Sequence, residues 1–394
     1  MELEGSLRLR AAFALIGEDL EPALDVCIEV EGSRITMVRR GGCPSGDYHR
    51  VSAATPLAAN AHVHSADYLT PDYGTSLDLE ELVSPPQGLK HRLLARAPRG
   101  EVVEASSKAY RLAEASGVGL ILDFREPAAG GCRASLEASR RTYGVAEILP
   151  LGRPGDPDGP RYCSGVGLNS PLDHPEGLPE GWRGFSIISA HVAETKDARV
   201  KGDFEAAFNI GVNVMVHGVH LTRKDLEEAA SLGAWLVMCP RSNLWHGTGV
   251  PPVKDAIEAG INVAVGTDNA AWSTPDPKQD AATLLYIARL QGARGHAAAS
   301  WVLKALYSGG YVIAGRNPPA IREGYEAMIA VYTMPSEREW ALTAAVDKHS
   351  AAIKVLAGEK PSLIVARGRC VAFNSLSLRT CTHYKSGRQG VGGT

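Results

Sequence analysis

Residues 60–67 read NAHVHSAD and follow the apolar run VSAATPLAA. In an extended segment alternate side chains project to the same side, so His62 and His64 point together and Val63 points away. Two neutral imidazoles on one face suit a divalent metal. Two neighbouring surface histidines would read the same, so the pair needs company. Three further stretches supply it. SAHVAET carries His191 and Glu194, VHGVHLT carries His217 and His220, and VAVGTDNAAW carries Asp268. Metal-activated hydrolysis is the chemistry that such a set of imidazoles and carboxylates could perform.

These residues must be positioned by the elements before them. Short apolar runs that read as strands are PLAANAH (56–62), GLILDF (119–124), AEILPLG (146–152), GVGLN (165–169), FSIISAH (185–191), NVMVH (213–217), WLVMCP (235–240) and NVAVGTD (262–268). Helical runs such as EVVEASSKAYRLAEASG, RKDLEEAASLG and VKDAIEAG lie between several of them, each closed by a glycine that suits a C-cap. Eight strands alternating with helices predict an α/β fold of the (β/α)8 TIM-like barrel type. No Gly-rich phosphate loop follows any strand, which disfavours a nucleotide-binding sheet. Every candidate ligand falls at the C-terminal end of a strand, where barrel enzymes build their sites. Residues 65–100 read as a long, irregular, polar insertion after the first barrel strand, of the kind that shapes a site's mouth.

Both ends of the chain have a different texture. LRLRAAFALI and DVCIEVEGSRITMVRR alternate apolar and polar residues around a turn at Glu31-Gly32-Ser33, and AMIAVYTMP and PSLIVARGRCVAF resemble them. The expected organisation is a small composite β-sandwich domain from residues 1–55 and 320–375, a barrel from 56–319, and a flexible polar tail from 376–394.

The ordered set HxH, HxxE, HxxHL and GTD resembles the amidohydrolase superfamily. It is most similar to the mononuclear deaminase and chlorohydrolase branch, which includes cytosine, guanine and S-adenosylhomocysteine deaminases. CPRSN (239–243) resembles that branch's proline-x-serine-asparagine segment, and the split terminal β domain is also typical of it. The resemblance implies that His62, His64, His191 and Asp268 bind one divalent metal ion per chain, zinc or iron. Binuclear relatives carry a modified lysine on strand four, where this chain reads GVGLN; that implies one ion. It further implies catalytic roles for Glu194, His217 and Asp268. Asp268 would take a proton from the attacking water, His217 would orient it, and Glu194 would protonate a ring nitrogen and then the departing ammonia. The expected reaction is hydrolytic deamination of an aminated purine, pyrimidine, pterin or nucleoside. The alternatives are a cyclic-amide hydrolase or chlorohydrolase-like enzyme with the same site, or a barrel that binds metal without catalysis.

Simpler roles compete for several residues. Asp268 would serve equally as a helix N-cap, and Glu194 as first-turn decoration favoured by the helix dipole. His220 is expected to make a structural hydrogen bond, and His91 and His246 to lie on a helix surface or loop, from which either could still line the pocket. Arg125, beside Asp123 and Glu126 at the end of the second barrel strand, could clamp an anionic substrate or form a salt bridge. Arg241, Gln87 and Lys90 are the other candidates for reading a substrate, while Ser242 and Asn243 are expected to fix their loop.

Composition narrows the partners. A net charge of −3, with 44% hydrophobic and 22% charged residues, gives no electrostatic footprint for nucleic acid or an anionic membrane. No apolar run approaches the roughly 20 residues that span a bilayer. The first residues lack a signal peptide's apolar core. The seven cysteines are scattered, odd in number and without a CxxC, which predicts a reducing cytoplasm and neither a disulfide framework nor a cysteine zinc site. A small-molecule substrate, and a homo-oligomer as a possible assembly, complete the expectations.

Overall fold

A computed structural model describes residues 6–373 of the chain. The tail expected from 376 onward lies outside the described residues.

The N-terminal strands are β1 (Ser6–Ile16), β2 (Glu21–Glu31), β3 (Arg34–Arg40) and β4 (His49–Pro56). In β1 the sequence SLRLRAAF alternates exposed and buried residues, so one face is apolar from the start. The C-terminal strands β14 (Ile329–Tyr332), β15 (Leu363–Ala366) and β16 (Arg369–Ala372) join them in one seven-stranded sheet ordered β16-β15-β14-β4-β1-β2-β3. The sheet curls until its far edge meets the chain again: Ile35 donates to the Tyr325 carbonyl, and Ala327 to that of Ser33. Leu7, Leu9, Val26, Ile28, Ile329, Val331 and Val365 pack together inside the curl. One core therefore needs residues from both ends of the chain.

Between these ends lie the barrel strands β5 (Ala58–His64), β6 (Val118–Phe124), β7 (Glu147–Gly152), β8 (Gly165–Leu168), β9 (Ile188–Val192), β10 (Val214–His217), β11 (Trp235–Met238) and β12 (Asn262–Val265). All neighbours pair in parallel. The run VSAATPLAA divides at Leu57: its first half is β4 in the terminal sheet, and its second half opens β5.

The eighth strand closes the barrel in two steps. Its first half, β12, pairs with β11; after Gly266 and Thr267 a short β13 (Asp268–Asn269) pairs with β5, Asp268 opposite Val63 and Asn269 opposite His64. Thr267 also donates to the His62 carbonyl at 2.9 Å. Gly266 sits at the seam, where a Cβ would come within 2.7 Å of the His62 Cβ and 2.8 Å of the Cys239 Sγ. The lumen is filled by Ala59, Ala61, Leu120, Leu122, Phe124, Val216, Val237 and Ala264, so the barrel is a packed core rather than a pore.

Two expectations need correction. The insertion after β5 is not irregular throughout: it holds a short 3-10 turn over Ser65–Leu69, then α1 (Leu79–Val83) and α2 (Leu89–Arg96) before the long helix α3 (Arg99–Ala115). A capping box between Asp78 and Glu81 starts α1, and Pro85, Pro86 and Gly88 separate it from α2. The cysteines also pair: Cys27 with Cys43, and Cys132 with Cys163. The partners stand 16 and 31 residues apart, with no spacing motif, and only the fold brings them together. A reducing compartment therefore cannot be argued from the cysteines. No helix among the described residues is long and apolar enough to cross a membrane.

Candidate active site

His62 and His64 leave β5 on one side, as strand geometry requires, and both are buried. His191 comes from β9, His217 from the end of β10, and Asp268 from the seam strand β13. His62, His64, His191 and Asp268 each offer one ligand atom, and these atoms all lie within 4.8 Å of one another. His62 Nε2 is 3.1 Å and His64 Nε2 3.5 Å from Asp268 Oδ1; His64 Nε2 is 3.3 Å from His191 Nε2. A tetrahedral shell with bonds of about 2.0–2.1 Å separates its donor atoms by about 3.3 Å. The three close separations match that spacing.

Hydrogen bonds on the far side of two rings sharpen the fit. His64 Nδ1 donates to Glu126 Oε1 at 2.7 Å, and His191 Nδ1 donates to the carbonyls of Leu168 and Asn169 at 3.0 and 3.2 Å. Each Nδ1 therefore holds its proton and each Nε2 presents a lone pair. Two lone pairs and a carboxylate oxygen converge with no proton between His64 and His191, an arrangement that a cation resolves. His62 Nδ1 is buried without a partner.

Burial keeps the ring of imidazoles neutral: it drives His62 down, His64 down to about 3 with help from the Lys90 charge, and His191 well below the ordinary histidine value. Burial pushes the Asp268 carboxyl up, but the hydrogen bond with His62 and the electrostatic pull of the His217, His62 and His64 rings outweigh it and hold the carboxyl well below its usual range. The Ser242 hydroxyl donates to Asp268 Oδ2. Asp268 is thus tied on both oxygens, which an N-cap role alone does not require.

Glu194 Oε1 lies 3.7 Å from His217 Nε2, beside the cluster. Burial raises the Glu194 carboxyl, and the Asp268 charge adds to that against the pull of His217. Backbone strain marks the same corner: Ala193, His217 and Asp268 have φ of 49°, 73° and 60°. Such left-handed conformations in non-glycine residues gather at functional sites.

A cavity of about 470 Å³ opens over the cluster, and Glu194, His217, Asp268, Asn169, Asp173, Lys90, His91 and His246 are among its lining residues. Its roof is Leu79, Val83, Ser84, Pro85 and Pro86 of the insertion. His91 donates to the Val83 carbonyl at 3.0 Å, pinning α2 to α1, and His246 meets the Trp272 ring edge-on at 4.8 Å. Both line the cavity rather than lying on the outer surface. His220 donates to the Thr248 carbonyl at 2.8 Å, the structural bond expected of it.

The four proposed substrate readers separate. Arg125 is wholly buried, paired with Asp123 at 3.1 Å and bonded to Ser65, Ser106 and two carbonyls, so it cannot clamp a substrate. Arg241 is spent on Asp280, Gln279 and the carbonyls of Thr274 and Asp276. Gln87 is exposed, next to the roof prolines rather than under them. Lys90 does reach the cavity, but its ammonium sits between Asp67 at 2.8 Å and Glu126 at 2.7 Å. Burial opposes its charge; the two carboxylates outweigh that and raise its pKa.

Sequence reasoning missed other contributors. Glu126 orients His64, and Asn243 Nδ2 lies 2.9 Å from His217 Nδ1, so the CPRSN segment acts on the site itself rather than only on its loop. The signal for Glu126 was its place at the C-terminal end of a barrel strand.

A family model described as the amidohydrolase family matches residues 182–352. A Methanothermobacter thermautotrophicus protein, assigned by name only to the aminohydrolases, is 31% identical over 310 residues, or 70% of this chain and 78% of that one. A 5-methylthioadenosine/S-adenosylhomocysteine deaminase of Pyrococcus horikoshii is 38% identical over 97 residues, which span 22% of this chain and 23% of the deaminase. Among solved structures, a zinc-bound adenosine deaminase from Xanthomonas campestris covers 96% of this chain and 97% of its own at a TM-score of 0.73 and 16% identity. An atrazine chlorohydrolase from Arthrobacter aurescens with zinc reaches 0.71 at 15%, covering 96% and 99%. At such identity these two likenesses carry the fold alone.

Proposed function

The chain belongs to the amidohydrolase family, and from that premise we propose that it is a metal-dependent aminohydrolase removing an amino group, as ammonia, from a small uncharged heterocycle. The observation that carries the reading is the pairing of two carboxyls with different duties. Asp268 is held ionised among histidines, while Glu194, across from His217, is pushed towards its protonated form.

His62, His64, His191 and Asp268 would hold one divalent ion, zinc or iron. When bound, such an ion would lower the pKa of its water to about 7. Asp268, with Ser242 holding its second oxygen, is the proton acceptor for the attacking water. His217 orients that water: Asn243 donates to its Nδ1, which leaves the ring proton on Nε2, facing the cavity. Glu194 gives its proton to a ring nitrogen of the substrate, making the neighbouring carbon electrophilic. The proton that Asp268 took from water then goes to the leaving amine, and Glu194 regains its own from the added hydroxyl as ammonia departs.

The cavity argues for an uncharged substrate. Among the described residues lining it, Lys90 is the one lysine or arginine, and it is already paired with two carboxylates. Asp173 and the ionised Asp268 add negative character. A screen of metal-replete protein for ammonia release from aminopurines, aminopyrimidines, pterins, and their nucleosides and nucleotides tests the reading. Ammonia from a free base or nucleoside, with its 5′-phosphate turned over at least about tenfold more slowly, is expected. No ammonia from any of them by protein holding about one ion per chain would defeat it.

A further inference from the structure

We propose that Lys90 is a positioning residue which makes the roof helices and the metal-binding cluster a single cooperative unit. Lys90 belongs to α2 of the insertion, yet its ammonium is buried, 2.7 Å from Glu126 Oε1 and 2.8 Å from Asp67 Oδ2. The same Glu126 oxygen accepts the His64 Nδ1 proton at 2.7 Å. Asp67 Oδ2 in turn accepts from the side-chain amide of Asn269, the residue next to Asp268. A closed polar path therefore runs from His64 on the first barrel strand, through Glu126, Lys90 and Asp67, to the seam strand that presents Asp268.

The second oxygens of Glu126 and Asp67 are buried without hydrogen-bond partners, and Arg153 stands 3.8 Å from Glu126, too far for a hydrogen bond. Lys90 is thus the close counter-charge for both carboxylates. A compact ammonium with three donors can serve two carboxylates at once, in a space where hydrophobic α2 residues such as Leu94 already pack. If the roof lifts, Lys90 leaves with it, and Glu126 loses the partner that fixes its grip on His64. By linkage, whatever tightens the cluster must also hold the roof down.

The inference rests on reading His62, His64, His191 and Asp268 as the metal shell, and the test separates the two. Zinc affinity is measured by competition with a chromogenic chelator for the full chain and for Lys90→Met, with Lys108→Met on the exposed face of α3 as control. Hydrogen exchange of residues 79–96 is followed with and without zinc. Lys90→Met should bind zinc about 10–100-fold more weakly, the usual effect of losing an outer-sphere partner. It should also exchange faster over 79–96, while Lys108→Met matches the parent. Zinc affinity within about twofold of the parent in a folded Lys90→Met protein overturns the inference alone. Should Lys90→Met fail to fold, the unaltered chain decides: zinc must slow exchange over 79–96 at least about tenfold, and unchanged exchange there overturns the inference. A parent protein that takes up no zinc removes the metal reading, and this inference with it.

Discussion

Asn243 Nδ2 stands 2.9 Å from His217 Nδ1, and that bond decides which ring nitrogen of His217 faces the cavity with its proton. Asn243 is fully buried at the start of the helix that follows the seventh barrel strand, and its backbone donates to the Cys239 carbonyl. The side-chain amide also donates to the Thr248 hydroxyl at 3.3 Å, so it is a fixed orienting group. Asn243→Ala should keep its metal content but lose about 10–100-fold in kcat. Elemental analysis beside steady-state kinetics checks this, and an unchanged kcat would leave His217 oriented by some other contact.

Glu194→Gln preserves shape and hydrogen bonding but cannot carry a proton. It should retain about one ion per chain while losing about two to four orders of magnitude in rate. His191→Ala should lose metal instead, whereas His220→Ala, whose ring bonds to Thr248, should not. Equal rates in Glu194→Gln and the parent would take Glu194 out of the proton path.

The buried histidines should draw stability from the metal-free protein in a defined acid window. Burial lowers His64 to about 3 in the folded chain, from 6.5 in the unfolded one, and His191 shifts in the same direction. Below about 6.5 the unfolded chain binds more protons at these groups than the folded chain does, so stability falls as pH drops from there towards 3. Above that window the two states bind equally and these groups contribute no slope. Zinc affinity should fall in the same direction, because histidine ligates as the neutral ring. Asp67 and Asp280, which burial raises to about 7 and about 6, pull the other way over the same range. Thermal unfolding at about pH 8, 6.5 and 5 is therefore compared between the parent and His64→Ala; a parent midpoint that falls no more than the variant's on acidification would contradict the histidine contribution.

We propose that the terminal strands are required for the barrel to fold. A chain starting at Val51 keeps every candidate ligand but lacks β1, β2 and β3, leaving Ile329, Val331 and Val365 without Leu7, Leu9, Val26 and Ile28 in their core. Short isolated hairpins are marginal in water. The fragment should be insoluble or poorly folded, and a monodisperse, metal-binding product would show that the terminal sheet is dispensable.

The barrel was legible because each buried parallel strand is a short apolar run, and β5, β9 and β10 carry the candidate histidines at or near their C-terminal ends. Asp123 on β6 and Arg125 just past its end stand two apart in an extended reading of the sequence, so the salt-bridge alternative was already readable. Lys90 was not readable: nothing local places its ammonium against Asp67 and Glu126, which lie 23 positions before it and 36 after it. The disulfides stayed hidden for the same reason, since Cys132 and Cys163 meet only because successive strands put their following loops side by side. The helices of the insertion were masked by its prolines and by their shortness.

The seam between β5 and β13 also sets a schedule. His62 and Asp268 are 206 positions apart, and Asp268 reaches the cluster only through the strand that closes the barrel. A chain emerging from the ribosome displays its first two histidines long before the carboxylate exists. Until residue 269 has emerged and docked beside His64, the nascent protein holds an incomplete set of donors. On the proposed assignment, the full set of four donors exists only once the barrel has closed.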